Sequence, residues 1–235
     1  MQKNGWLSLG CVWVLSVQTA QAAITLDRTR AIYDGSARSI SLNITNENKQ
    51  QPYLAQAWLE GTTNKKTHVL MVVPPVQRLE AGGNSMVRIT ATPDTARLPQ
   101  DRESLFYFNL REIPPRSSEP NVMQIALQTK IKLFYRPAAI APEQNAVWQE
   151  QLRLTRTTAG YRIENPTPYF ITVIDLTEKG LPASDIQPVM IAPKSSENVR
   201  SAVLRTPVLT YINDYGGRPQ LTFRCQGDSC QVSES

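Results

Sequence analysis

From Asn121 to Pro137 apolar and polar positions alternate along the chain. Met123, Ile125, Leu127, Thr129, Ile131, Leu133 and Tyr135 form one set, and Gln124, Ala126, Gln128, Lys130 and Lys132 the other. A repeat of two is the repeat of a β-strand, whose successive side chains point to opposite faces. β-Branched and aromatic residues recur and no Gly or Pro interrupts, so the stretch predicts one continuous strand. That strand is longer than the usual five or six residues. Its first half is apolar enough to bind something, and its second half is apolar enough to sit in a core.

Shorter runs of the same kind fill the chain before it. Residues 23–33 alternate and end in an Asp34-Gly35 turn, and residues 39–48 alternate and end in a polar corner. Residues 52–60 form a third run, with Trp58 as the expected core anchor. Gly61 to His68 reads as a polar hairpin. Residues 69–93 hold a strand, a Pro74-Pro75 corner, a Gly82-Gly83 turn and another strand. Pro75 is the candidate for a cis peptide bond. Residues 102–114, RESLFYFNLREIP, are apolar on both faces, as a central sandwich strand should be. Seven or so strands with regular turns and no helical period predict an immunoglobulin-like sandwich. Residues 137–146, PAAIAPEQNA, carry two prolines and no period, and read as a linker. Short strands then resume to the end of the chain. The expected fold is all-β, with two sandwich domains over residues 23–141 and 142–235.

The first 22 residues change the compartment. A positive start at Lys3, an apolar run from Trp6 to Val17 and the small-residue end Ala20-Gln21-Ala22 describe a secretory leader, with cleavage expected after Ala22. The run is too short for an ordinary membrane-spanning helix. Cys11 lies too early in it to be a lipidated cysteine. No other stretch is apolar enough to be transmembrane. In an exported chain the two remaining cysteines, Cys225 and Cys230, should pair as a structural disulfide. A redox pair would be closer-spaced and set before a helix. Loss of Lys3 leaves 24 basic against 20 acidic residues. That mild excess, without a basic run, points away from nucleic acid and permits an acidic ligand.

Catalytic and metal chemistry find little support. The only histidine, His68, lies in a polar turn beside Lys65 and Lys66. One histidine without a cysteine cluster builds no zinc site, and nothing in the sequence places a serine beside it. The paired glycines lack phosphate-loop spacing. Asn43-Ile44-Thr45 fits a glycosylation sequon but lies inside an expected strand. Asp228 reads as a turn residue. No cofactor is implied.

Residues 98–114, LPQDRESLFYFNLREIP, resemble the signature of the periplasmic pilus chaperones, the PapD-like family. The IKLFYRP ending at 131–137 resembles that family's next strand, and YRIENPTPYF and YINDYGGRP resemble its second domain. The resemblance covers the whole chain after the leader. It implies two immunoglobulin-like domains in an L shape with a cleft between them, and a protein that is not an enzyme. It implies pilus subunits and a tip adhesin as partners in the periplasm, and delivery to an outer-membrane usher. Each subunit lacks its last strand, and the chaperone lends one of its own. An open sandwich exposes an apolar groove and unpaired strand edges, which aggregate; a lent strand covers both. By resemblance, Met123, Ile125 and Leu127 fill the groove, and the connection before them is of the family's short kind. Arg30 and Lys132 match the positions that grip the subunit's terminal carboxylate. Glu103, Arg136 and Asp214 match a charged network between the domains, and Thr29 and Gln128 neighbour the site. Lys132 is out of phase with Met123, Ile125 and Leu127. Either it faces the cleft while their row faces the subunit, or a bulge shifts the phase. Two other classes compete: a pilus subunit or adhesin, which should carry a free donor extension and one incomplete domain, and a periplasmic enzyme. The pilus type served, and self-association of the unbound form, are left open.

Overall fold

The computed structural model describes residues 22–118, 121–184 and 186–233. Residues 1–21, which hold all but the last residue of the expected leader, lie outside the described residues. The N-terminal half is built from β1 (Ile24–Leu26), β2 (Arg30–Asp34), β3 (Ser39–Asn46), β4 (Tyr53–Glu60), β5 (Leu70–Val73), β6 (Val76–Leu79), β7 (Asn84–Ala91), β8 (Ser104–Ile113) and β9 (Gln128–Arg136). They form two sheets, ordered β1-β3-β7-β5 and β2-β9-β8-β4-β6. The alternating positions of both sheets meet in one core, with Tyr33, Leu42, Ile44, Ile89, Phe108 and Leu133 fully enclosed.

Period outranks residue size in that core. β4 turns Ala55, Ala57 and Leu59 inward, so Trp58 faces out and is only half-buried. Trp58 is therefore not the core anchor its size suggested. Its indole N–H donates to Glu60 at 2.8 Å, and the Arg111 guanidinium lies 5.3 Å over its ring. The anchors come from neighbouring strands, chiefly Tyr33 and Phe108. At the proline corner the cis bond is Val73–Pro74, one residue before the position expected. His68 is exposed.

The long strand divides. β9 begins at Gln128, and residues 122–127 have no ladder partner. The reason lies in the strand beside it. β8 pairs with β9 from Ser104↔Tyr135 to Arg111↔Gln128, and three residues past Arg111 it runs into Pro114-Pro115. Proline has no N–H to offer a ladder. Beyond the ladder the Glu112 N–H reaches the Leu127 carbonyl at 3.0 Å, and the Gln124 side-chain amide donates to the Pro115 carbonyl at 2.5 Å. On the other side β2 covers only Lys132 to Arg136. The alternation of residues 121–127 is thus a strand pattern without a strand beside it.

The C-terminal half contains β10 (Arg153–Thr157), β11 (Gly160–Asn165), β12 (Ile171–Glu178), β13 (Val189–Ile191), β14 (Ser195–Arg200), β15 (Pro207–Ile212), β16 (Gln220–Gln226) and β17 (Ser229–Val232). Hydrogen bonding is continuous in the order β13-β12-β15-β16-β17-β10-β11-β14. The sheet closes around a second core that includes Leu154, Tyr161, Ile163, Val173, Leu209 and Phe223. Residues 147–157 have the pattern of one strand, but Trp148–Gln151 forms a 3-10 turn and the strand begins only at Arg153. Cys225 and Cys230 face each other across β16 and β17 and are joined by a disulfide. Gly160 opens β11 at φ +141°, and an added Cβ there would stand 2.2 Å from the Val199 carbonyl oxygen and 2.6 Å from the Ser201 nitrogen. Backbone cannot yield as a flexible side chain does. Gly160→Ala should therefore lower stability by at least about 2 kcal/mol in urea unfolding. A loss under about 0.5 kcal/mol would contradict this packing.

Candidate functional site

β2 and β9 run parallel, and their register decides the site. Arg30 stands opposite Lys132, Ile32 opposite Phe134 and Asp34 opposite Arg136. Ala31, Tyr33, Leu133 and Tyr135 point into the N-terminal core. By strict alternation Arg30, Lys132, Phe134 and Arg136 point the other way, toward the C-terminal half. The β8–β9 register runs without a break. Between Gln128 and Tyr135, therefore, no bulge shifts the phase of Lys132.

The Arg30 and Lys132 side chains thus share one face of adjacent strands. Arg30 is buried. One guanidinium N–H donates to the Ile212 carbonyl at 3.2 Å, and the group lies 5.9 Å from the Phe134 ring centre. Its Nε is buried without a hydrogen-bond partner. Among the described residues Lys132 Nζ has neither an ion pair nor a hydrogen bond. Burial lowers the pKa of Lys132, and the neighbouring Arg30 charge lowers it further. Burial also lowers Arg30, while Asp214 and Glu103 pull it back up. Two like charges held together, one with an unmet donor, form a site that an anion would complete. A carboxylate suits it, because its two oxygens accept charge-assisted bonds from both groups.

Deeper in the same cleft Arg136 joins the halves of the molecule. Its Nε and Nη2 donate to one oxygen of Glu103 at 2.8 and 2.7 Å, and its Nη1 meets Asp214 at 2.9 Å. The second Glu103 oxygen accepts from the Phe170 N–H at 2.7 Å. The guanidinium is flanked by Tyr169 and Trp148, 4.9 and 5.1 Å from their ring centres. Phe134 and Phe170 pack across the same boundary, and the Tyr169 hydroxyl donates to the Ile140 carbonyl. At the rim Lys194 meets Asp101 at 2.7 Å. Burial pushes Glu103 up to about 7 against the pull of Arg136 and the Phe170 N–H.

Met123, Ile125 and Leu127 stand outside both cores, at 86 %, 66 % and 37 % exposure. Apolar side chains this open, in one alternating row, form an unfilled contact surface. Thr29 lines the cavity that Arg30, Arg136 and Asp214 share. Gln128 is turned to Asn109 and Arg111 and touches neither cation. The aromatic shelf of Trp148, Tyr169 and Phe170 escaped the sequence reading. Its signal was present in residues 161–170, but an aromatic residue in a motif does not disclose which guanidinium it will flank.

Comparison with known proteins gives this geometry a lineage. A family model described as pili and flagellar-assembly chaperone, PapD N-terminal domain, matches residues 23–141, and the pili assembly chaperone PapD C-terminal domain matches residues 147–223. The chain belongs to the PapD-like pilus chaperone family. It is 59 % identical to the chaperone protein PapD of Escherichia coli over 93 % of each chain. It is 44 % identical to the probable fimbrial chaperone YfcS of Escherichia coli strain K12, over 99 % of this chain and 94 % of that one. Among solved structures it resembles the periplasmic chaperone SfaE, with a TM-score of 0.70, 31 % identity, and coverage of 85 % of this chain and 98 % of that one.

The charged network of this family member yields two expectations. Arg136→Ala strands a buried Glu103 and should cost about 3–5 kcal/mol in denaturant unfolding; a loss below about 1 kcal/mol would show the network to be dispensable. Glu103 also sets a pH dependence. Its folded pKa lies above the unfolded value, so between about pH 4.5 and 7 the folded state holds the extra proton. Stability relative to Glu103→Gln should therefore fall as pH rises across that window and level off above it, by on the order of 3 kcal/mol in total. Parallel pH profiles for the two proteins would refute the burial argument.

Proposed function

We propose that the protein is a periplasmic chaperone that binds pilus subunits by donor-strand complementation and hands them to an outer-membrane usher. Residues 121–127 are the lent strand. Met123, Ile125 and Leu127 enter the subunit's open groove, and Arg30 with Lys132 takes the subunit's terminal carboxylate. The observation that carries the reading is an exposed apolar row followed by two adjacent cations on the paired strands β2 and β9. A strand with free backbone on both edges can add to another sheet. Burying each of the three side chains contributes roughly 1.5–3 kcal/mol. The cations fix alignment, because a slip of one residue would turn the apolar row to the wrong face. Each charge-assisted bond to the carboxylate is worth on the order of 1.5–3 kcal/mol. Glu103, Arg136 and Asp214 hold the cleft and take no part in binding. A pilus subunit would need an incomplete sandwich of its own, and both halves here enclose complete cores.

Co-expression with a pilus subunit tests this reading. The wild-type chain should yield a soluble one-to-one complex, and Arg30→Ala or Lys132→Ala should each lose at least about nine-tenths of it, as expected for a deficit of about 1.4 kcal/mol or more. Ile125→Asn should weaken capture while leaving the unbound chain's thermal unfolding unchanged, since Ile125 lies outside the core. Full capture by the double cation variant would remove the assigned anchor. Unaltered affinity in Ile125→Asn would remove strand lending.

A further inference from the structure

Glu112 stands near the end of β8, just before the Pro114-Pro115 pair. It is 5 % exposed, and the Ile24 N–H donates to its Oε2 at 2.9 Å. Among the described residues no cation pairs with it and no other donor reaches its carboxylate. A buried carboxylate held by one neutral donor is costly, and a cation beside it removes most of that cost. Its own N–H is the last backbone bond to the donor segment, reaching the Leu127 carbonyl at 3.0 Å. A cavity of about 380 Å³ adjoins it, lined by Ala23, Glu47, Tyr53, Glu112, Ile125 and Leu127. Ala23 therefore sits at the root of the donor segment, one residue ahead of the Ile24 N–H that Glu112 already holds.

We propose that leader removal after Ala22 frees an α-ammonium at Ala23, which ion-pairs with Glu112 and clamps the base of the donor segment. The inference rests on the cleavage position and on the lending role of residues 121–127. The stereochemistry is simple. The Ala23 carbonyl accepts from the Glu47 N–H at 2.6 Å, which fixes the Ala23–Ile24 peptide plane. The Ala23 N–H donates to nothing among the described residues. Once no residue precedes it, the amine turns about the Cα–C bond of Ala23 alone and swings to the side of the Ile24 N–H, where the Glu112 carboxylate waits. The other acid of the cavity, Glu47, is already engaged: one oxygen accepts from the Thr25 hydroxyl at 3.3 Å, and the other lies 3.9 Å from Lys49. Tyr53 lines the cavity from β4, and the donor segment contributes only Ile125 and Leu127. Glu112 is thus a positioning residue. In the precursor its carboxylate lacks a cation and the donor root is looser; in the processed chain the clamp is closed.

The test uses the full processed chain, purified from the periplasm, and begins with its intact mass. Ala23 as first residue is required, and any other terminus overturns the proposal. Three forms are compared: wild type, Glu112→Gln, and a chain with Gly-Ser inserted after Ala22. The wild-type Ala23 amine, followed by NMR against pH, should titrate at least about one pH unit above the usual 7.7–8.0, and Glu112→Gln should return it to that range. Because the amine's folded pKa is raised, the stability advantage of wild type over Glu112→Gln should be full below about pH 8 and lost as pH rises through the folded value. Hydrogen exchange at the Glu112 amide should be about tenfold faster in both altered forms. An ordinary titration of the wild-type amine overturns the ion pair. Wild-type exchange in the extended chain overturns the clamp. Both readouts are taken without a subunit, so they stand or fall apart from subunit capture.

Discussion

The parallel pairing of β2 with β9 is the constraint on which the rest of the structure depends. It is a non-local contact between the first strands of the chain and the last strand of the N-terminal half. It sends one row of residues into the sandwich core and the other toward the C-terminal half. In that second row it places Arg30 beside Lys132, like charge beside like charge. Parallel neighbours on the same face cannot separate without breaking the ladder. The repulsion between the two cations is therefore built into the fold.

The same row continues to Arg136, where the electrostatics reverse. Here the cation is matched twice over, by Glu103 from its own half and Asp214 from the other, with aromatic rings closing it off from water. A buried ion pair adds little net stability, because desolvation offsets the attraction, yet removing one member leaves a bare buried charge. Such a network is weak as glue and strict as a gauge. It penalises any arrangement of the two halves that would separate its members, and so it holds the walls of the cleft at a fixed separation. Together with the Phe134–Phe170 contact and the Arg30–Ile212 bond, it makes the two cores one frame around Arg30 and Lys132.

Residues 121–127 gain their character from what is withheld from them. Residues 121–127 have the composition of a strand, but the neighbouring strand ends in two prolines and the other neighbour begins five residues later. With no ladder partner beyond the single Glu112–Leu127 bond, and with the apolar row exposed, the segment is a sheet component in search of a sheet. Natural proteins blunt such edges with charge or cover. Here the segment is short and is followed by Lys130 and Lys132, which blunt it in part.

Much of this was legible in the amino-acid order alone. The period of two marked the strands and the fold class, because alternation in a half-buried sheet is written one residue at a time. The motifs around residues 98–114 and 131–137 named the family and, through it, Arg30, Lys132, Glu103, Arg136 and Asp214. Trp58 was misread, since size suggests burial but phase decides it. The strand at 121–137 was read as continuous because alternation records a residue's fitness for a sheet, and does not record whether a partner strand lies alongside. The phase of Lys132 stayed open for the same reason: only the unbroken β8–β9 register says which face it takes. The aromatic shelf around Arg136 and the buried carboxylate of Glu112 were likewise beyond reach. Both are meetings of residues from different segments, 12 to 88 positions apart, and such contacts are set by how sheets pack. Local pattern determined the parts of this protein; non-local pairing and burial decided which of them face each other and which were left unpaired.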